Sequence, residues 1–166
     1  MERCYKTFVS IGNGKQYFSR LLNAVEACAD LLPQPVLVQC GHTPFVSKKL
    51  DVIDFVSMDD FIRYVHNAEM LILHAGAGSV LHAINAGKHP ILMPRSKKFD
   101  EIVNEHQVSL ASTLHDAEKA IMVDNEQELK TAIQRILNEE IRLSANSNKS
   151  PAFNIIKSRL AQLLEM

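Results

Sequence analysis

The sequence predicts an α/β fold, a Rossmann-like doubly wound parallel sheet with helices on both faces, and three observations lead there. Short apolar runs alternate with segments whose apolar residues recur at helical spacing, from Thr7 to Leu137. The runs lack the apolar–polar alternation of half-exposed strands, as strands buried on both faces do. Small-residue turns follow two of the runs at once, Gly12-Asn13-Gly14 and His74-Ala75-Gly76-Ala77-Gly78-Ser79. The alternation implies roughly six strands.

The elements follow in order. Thr7 to Ile11 reads as the first strand, and Phe18, Leu21, Leu22, Val25 and Cys28 mark a helix that Pro33 and Pro35 end. Val36 to Cys40 is the second strand and Val52 to Val56 the third, separated by a polar loop from His42 to Lys49. Ser57 is placed to cap the next helix, with Asp59 and Asp60 in its first turn and Phe61, Ile62 and Val65 on its apolar face. Met70 to Leu73 is the fourth strand, Val80, Leu81 and Ile84 define a helix ending at Gly87, and Pro90 to Pro94 is the fifth strand. Arg95 to Asp100 reads as a loop. A helix carries Ile102, Val103, Gln107, Leu110 and Ala111, with Glu101, Asn104 and Glu105 expected on its exposed face. Ala120 to Val123 is the last strand. Asp124 or Asn125 caps a helix bearing Leu129, Ile133, Ile136 and Leu137. The expected organisation is a Rossmann-like domain over 1–143, a polar linker over 144–151 and an amphipathic helix over 152–166 with Ile156, Leu160, Leu163 and Leu164 on its apolar face.

Composition narrows the function classes. A length of 166 residues, 46% of them apolar and 22% charged, suits one domain with a sizeable core. A net charge of -1 argues against general nucleic-acid binding. No apolar run approaches the roughly 20 residues that span a bilayer, and the first residues lack a signal-peptide pattern, so a cytoplasmic protein is expected. Cys4, Cys28 and Cys40 are scattered and read as free thiols, and the histidines show no metal-ligand spacing, so no metal is expected.

In a doubly wound sheet, ligands sit beyond the carboxyl ends of the strands. The loops there are Gly12 to Gly14, Val56 to Met58, His74 to Ser79 and Arg95 to Asp100. The helix opening at Gly76-Ala77-Gly78-Ser79 offers main-chain N–H groups and the positive end of its dipole to an anion. On that turn alone, tight packing explains the glycines as well as phosphate binding does. The convergence of four loops makes a nucleotide-sized, phosphate-bearing ligand the leading expectation.

With these residues assembled, the chain resembles the donor-binding subunit of two-part glycosyltransferases, with a domain like that at the C-terminus of glycosyltransferase family 28. The residues that carry the resemblance are Ser10-Ile11-Gly12, His74-Ala75-Gly76-Ala77-Gly78-Ser79, Gly87-Lys88, Pro94-Arg95 and Asn104-Glu105-His106-Gln107. It covers about residues 5–140. The family includes the subunit that, with a membrane-anchored partner, extends the dolichol-linked oligosaccharide, and bacterial exopolysaccharide and capsule homologues. Its members correspond to the C-terminal half of a GT-B enzyme.

The resemblance implies a UDP-sugar as donor, no cofactor, and a membrane-associated acceptor-binding subunit as partner, recruiting the chain to a membrane surface. It implies inverting transfer of a hexose or N-acetylhexosamine to a lipid-linked or polysaccharide acceptor. The implied donor site comprises Gly12, Asn13, Gly14, Val56, His74, Ala75, Gly76, Ala77, Gly78, Ser79, Arg95, Glu105, His106 and Gln107. Within it the glycine turn holds the diphosphate, Phe55-Val56-Ser57 the uracil, Glu105-His106-Gln107 the sugar hydroxyls, and Arg95 faces phosphate. At the helix position where related enzymes hold ribose with a carboxylate, this chain has His82. No catalytic base is assigned, because in related enzymes it lies on the other half. The terminal helix is expected to dock the partner, and Lys97 and Lys98 are candidates for steering an anion. A non-catalytic nucleotide-sugar-binding module is the alternative function, and a nucleotide-sugar epimerase a weaker one.

Overall fold

The computed structural model describes residues 3–141, 154 and 158–162. Six strands form one parallel sheet: β1 Thr7–Ser10, β2 Val36–Gln39, β3 Asp51–Ile53, β4 Met70–Leu73, β5 Ile91–Leu92 and β6 Ile121–Met122, in the order β3-β2-β1-β4-β5-β6. The helices are α1 Ser19–Ala27, α2 Met58–Asn67, α3 Ala77–Asn85, α4 His106–Asp116 and α5 Glu126–Leu137. The chain winds outward from β1 in one direction through β3 and then in the other through β6. The strand order therefore reverses between β1 and β4, which is where such a sheet opens a crevice.

Successive side chains of a strand point to opposite faces, so each strand feeds two cores. Val9, Val38, Met70, Ile72 and Ile91 pack on one face against Leu21, Leu22 and Val25 of α1 and Leu129, Ile133 and Ile136 of α5. Phe8, Leu37, Leu71, Leu73 and Leu92 pack on the other against Phe61 and Val65 of α2, Val80 and Ile84 of α3, and Leu110 and Leu114 of α4. Ser10 lies level with Gln39 on one side and Leu73 on the other, so β1, β2 and β4 end together. Their following loops start from one line.

Helix starts follow local chemistry. Ser57 caps α2 by accepting from the Asp60 N–H, and Asn125 rather than Asp124 caps α5 by accepting from the Glu128 N–H. The third strand spans only Asp51–Ile53 because its one neighbour, β2, ends at Gln39, which leaves Phe55 and Val56 in the loop above the sheet. The expected strand from Pro90 to Pro94 shrinks to Ile91–Leu92, bounded by prolines that have no N–H for the ladder.

The expected start of α4 also moves. The helix begins at His106 with Glu105 at its cap, leaving Ile102 and Val103 outside it. Glu101, expected on an exposed face, is only 4% exposed. Arg20 draws its carboxylate inward through two bonds, Nε to Oε1 at 3.0 Å and Nη2 to Oε2 at 2.9 Å, and the Ser96 N–H donates to it as well.

Cys28 and Cys40 are buried free thiols, pushed up in pKa chiefly by burial, and Cys4 is an exposed one. Residues 158–162 are helical, and Leu160 is buried in the α2–α3–α4 core. At that position the terminal helix packs on its own domain. Ile156, Leu163, Leu164 and the linker 144–151 lie outside the described residues. Among the described residues no helix is long and apolar enough to cross a membrane.

Candidate functional site

At the switch point a cleft of about 330 Å³ opens between the loops after β1 and β4 and the start of α2. That volume lies at the lower end of the range of small-molecule sites, about 300–1,000 Å³. Ser10, Gly12, Asn13 and Gln39 form one wall, Val56, Ser57, Met58 and Phe61 a second, and His74, Gly76, Ala77, Gly78, Ser79 and His82 a third. The first turn of α3 faces this space. Its first intrahelical bond runs from the Val80 N–H to the Gly76 carbonyl, so the N–H groups of Ala77, Gly78 and Ser79 have no helical acceptor. Gly76 has no side chain to cap them, whereas Ser57 and Asn125 cap α2 and α5. An anion is the natural complement.

His74 is the pivot of the site. A Cβ on Gly12 would lie 2.5 Å from its Nε2, and one on Gly76 would lie 2.2 Å from its Cε1. The imidazole therefore occupies the space that both glycines leave open and joins the two loops. Nε2 lies 3.4 Å from the Ser79 Oγ, while buried Nδ1 has no hydrogen-bond partner among the described residues. Burial, then the positive charge of Arg95, lower the His74 pKa to about 3, and the nearby Gln107 amide opposes the shift without bonding Nδ1. The ring is neutral at any working pH. Ala75 beside it holds a left-handed φ of +63° while fully buried, a strained turn of the kind that binding loops retain.

The expected site residues divide into three groups. Gly12, Asn13, Val56, His74, Gly76, Ala77, Gly78 and Ser79 meet in the cleft. Ala75, His106 and Gln107 line a second hollow of about 60 Å³ with Leu110, and Ala77 borders both hollows. Gly14, Arg95 and Glu105 line neither. Arg95 is 3% exposed, and its guanidinium donates to the Ile11 carbonyl at 2.9 Å, the Gln16 carbonyl at 2.7 Å and the Glu101 carbonyl at 3.3 Å. In this arrangement the guanidinium ties loop carbonyls together as a brace. Gly14 closes over that brace, with its Cβ position 3.6 Å from the Arg95 Cζ. Glu105 accepts from the Lys97 N–H at 3.0 Å, and Gln107 accepts from the Arg95 N–H at 3.1 Å.

The sequence profile of the glycosyltransferase family 28 C-terminal domain matches residues 8–163. The chain belongs to that family. Among relatives of this family 28 domain is the UDP-N-acetylglucosamine transferase subunit ALG13 of Yarrowia lipolytica, 37% identical over 65 residues, which are 39% of this chain and 31% of that protein. MurG of Acinetobacter baumannii superposes over 100% of this chain and 51% of its own, with a TM-score of 0.61 at 16% identity. The UDP-GlcNAc 2-epimerase of Methanocaldococcus jannaschii, solved with UDP-GlcNAc and UDP, superposes over 97% of this chain and 45% of its own, with a TM-score of 0.57 at 15% identity. At such identities these structures establish the fold, which is that of the GT-B glycosyltransferases. The family 28 domain spans about half the length of those two proteins and matches about a third of the curated relative.

Four residues of the cleft wall were not assigned to the site from sequence: Gln39, Ser10, Met58 and Phe61. Gln39 carried a usable signal, since a polar residue closing the apolar run Val36-Leu37-Val38 sits at a strand's carboxyl end. Met58, the last residue of the expected loop from Val56, is 60% exposed at the rim. Among the described residues of the family 28 domain, no group of three or more His, Cys, Asp or Glu side chains could hold a metal ion.

The neutral His74 gives a pH signature. Its folded pKa of about 3 lies below the ordinary 6.5, so between those values the unfolded chain binds a proton that the folded chain refuses. Stability then rises with pH across that window by up to about 1.4 kcal/mol per unit. The contribution is complete above pH 6.5 and is lost as pH falls toward 3. Urea unfolding from pH 6 to 4.5 should show this slope and His74→Gln should flatten it, leaving the smaller contribution of His89, whose pKa burial also lowers. A slope unchanged in His74→Gln would refute the assignment.

Proposed function

We propose that this chain is the UDP-sugar-binding component of a two-part inverting glycosyltransferase, which transfers a hexose or N-acetylhexosamine to a lipid-linked or polysaccharide acceptor. The observation that carries this reading is the uncapped first turn of α3 opening into a nucleotide-sized cleft at the switch point. Family membership and the ALG13 relative support the reaction class. A diphosphate would sit on the N–H groups of Ala77, Gly78 and Ser79, with the uridine toward Val56 and Phe61 and the sugar toward the hollow lined by His106 and Gln107. Fixed dipoles of this kind stabilise charge as it develops on a leaving UDP, with no metal in the reading.

Among the described residues the cleft lining includes no carboxylate, and the His74 ring is held neutral between two glycines. As the resemblance implies, the reading assigns the proton of the acceptor hydroxyl to a group on a separate, membrane-associated acceptor-binding subunit. The same lack of a carboxylate suits the rival reading, a non-catalytic nucleotide-sugar-binding module, and the shared fold of the epimerase does not discriminate among activities.

Calorimetry with UDP and UDP-GlcNAc separates the readings. A donor site should bind the sugar nucleotide more tightly than UDP, and Gln107→Ala should remove most of that increment, about tenfold in affinity for one lost hydrogen bond. Equal affinities would favour the binding module, and no affinity for either would defeat both. Transfer should appear only when a membrane-anchored partner is added, so robust transfer by the chain alone would contradict the two-part architecture.

A further inference from the structure

A short polar chain runs under the cleft, and the direction of its hydrogen bonds can be read without ambiguity. The Gly12 N–H donates to the Ser10 Oγ at 3.2 Å. Ser10 is fully buried and meets the Gln39 side chain at 2.7 Å. A main-chain N–H can only donate, so the Ser10 hydroxyl has its own hydrogen left to place. If Gln39 presented its NH2 group there, that hydrogen would be buried without an acceptor, which is costly. Gln39 must present Oε1 to Ser10 and therefore Nε2 to Asn13, whose Oδ1 lies 3.0 Å away. Asn13 then has its oxygen occupied and its two amide hydrogens unassigned. Asn13 is exposed and stands on the cleft wall beside Gly12.

We infer that Gln39 is a positioning residue: buried at the end of β2, it fixes the polarity of the Asn13 amide so that Nδ2 donates into the cleft to a phosphate oxygen. The inference rests on the reading of the cleft as a nucleotide-sugar site, and it makes Gln39 a determinant of anion preference. An asparagine free to turn over offers an acceptor as readily as a donor, and an acceptor repels phosphate. Held by Gln39, it offers only donors, from the loop after β1, in the same cleft as the N–H groups of α3. The diphosphate is thereby gripped from two strand ends.

The test joins NMR of the ligand-free chain with UDP calorimetry. In the free protein, the Gln39 Nε2 protons should show nuclear Overhauser contacts to the Asn13 side chain; contacts to the Ser10 β-protons instead would mean the reverse polarity and overturn the inference, whatever the ligand. With UDP, the Asn13 side-chain amide resonances should shift in the wild type and stay still in Gln39→Glu, which keeps the acceptor for Ser10 but turns the Asn13 amide by presenting it an acceptor in place of a donor. UDP affinity should fall about ten- to a hundredfold in Asn13→Ala and in Gln39→Glu alike, and no further in the double variant. Additive losses, or an Asn13 response to UDP that survives in Gln39→Glu, would overturn it. A wild type that binds no UDP defeats the reading of the cleft and not the polarity, which the ligand-free contacts decide.

Discussion

Gly76→Ala should cost about 1–3 kcal/mol of unfolding free energy, the usual range for overpacking a filled site, and should abolish nucleotide binding. The new methyl would lie 2.2 Å from the His74 Cε1 and 2.7 Å from its Nε2. On its other side the ring faces Gly12, whose Cβ position lies 2.5 Å from Nε2. Gly12→Ala should be worse. Its methyl would lie 2.5 Å from the same ring, and the residue holds a φ of +74°, where a side chain adds about 1–2 kcal/mol of strain. Gly87 is the internal control. It holds φ +71° but a Cβ there meets nothing within 4 Å, so Gly87→Ala should show the strain alone, about 1 kcal/mol, with unchanged binding. Urea unfolding of Gly76→Ala in the His74→Ala background decides the cause. With the ring absent the added methyl should be nearly neutral; an undiminished penalty would show that the ring is not what Gly76 accommodates.

The fold was legible because its signals are local. Apolar runs without alternation declared buried parallel strands, Ser57 declared the start of α2, and the pair Asp124-Asn125 that of α5, where the hydrogen bond falls to Asn125. The glycine turn after β4 was legible for the same reason. What sequence could not display is where long charged side chains end up. Arg95 opens a charged segment that reads as loop and Glu101 reads as the exposed face of a helix, yet both are buried: Arg20, 81 positions from Glu101, reaches across from α1 to its carboxylate, and the Ile11, Gln16 and Glu101 carbonyls hold Arg95. The clasp of His74 was hidden likewise. Nothing in Gly12 or Gly76 names the ring between them, and only the strand order that sets β1 beside β4 brings the three together. Gln39 shows the intermediate case, a polar residue whose position at a strand end was a signal and whose role depended on partners from β1 and its loop.

Arg95→Met should be the most damaging change outside the cleft, lowering stability by about 3–5 kcal/mol. The guanidinium bridges carbonyls of the β1–α1 loop, at Ile11 and Gln16, and of the segment before α4, at Glu101, and it lies over the Phe18 ring at 4.9 Å. Methionine fills the volume but leaves those acceptors without a donor, and the Gly12 to Gln16 loop loses its tie to the rest of the site. Arg95→Lys should recover less than half of the loss, since a single ammonium cannot match a planar fork spread over three carbonyls. The His74 pKa should rise from about 3 when the positive charge is removed, and should stay well below 6.5 because burial is the larger cause. An NMR titration of the imidazole in Arg95→Met reads this directly. The alternative role, a direct contact to phosphate, predicts the opposite pattern: Arg95→Lys would keep a cation for the ligand, fold normally and lose only affinity. A brace loses stability first, with or without nucleotide present, so urea midpoints of the lysine variant measured without ligand decide between the two.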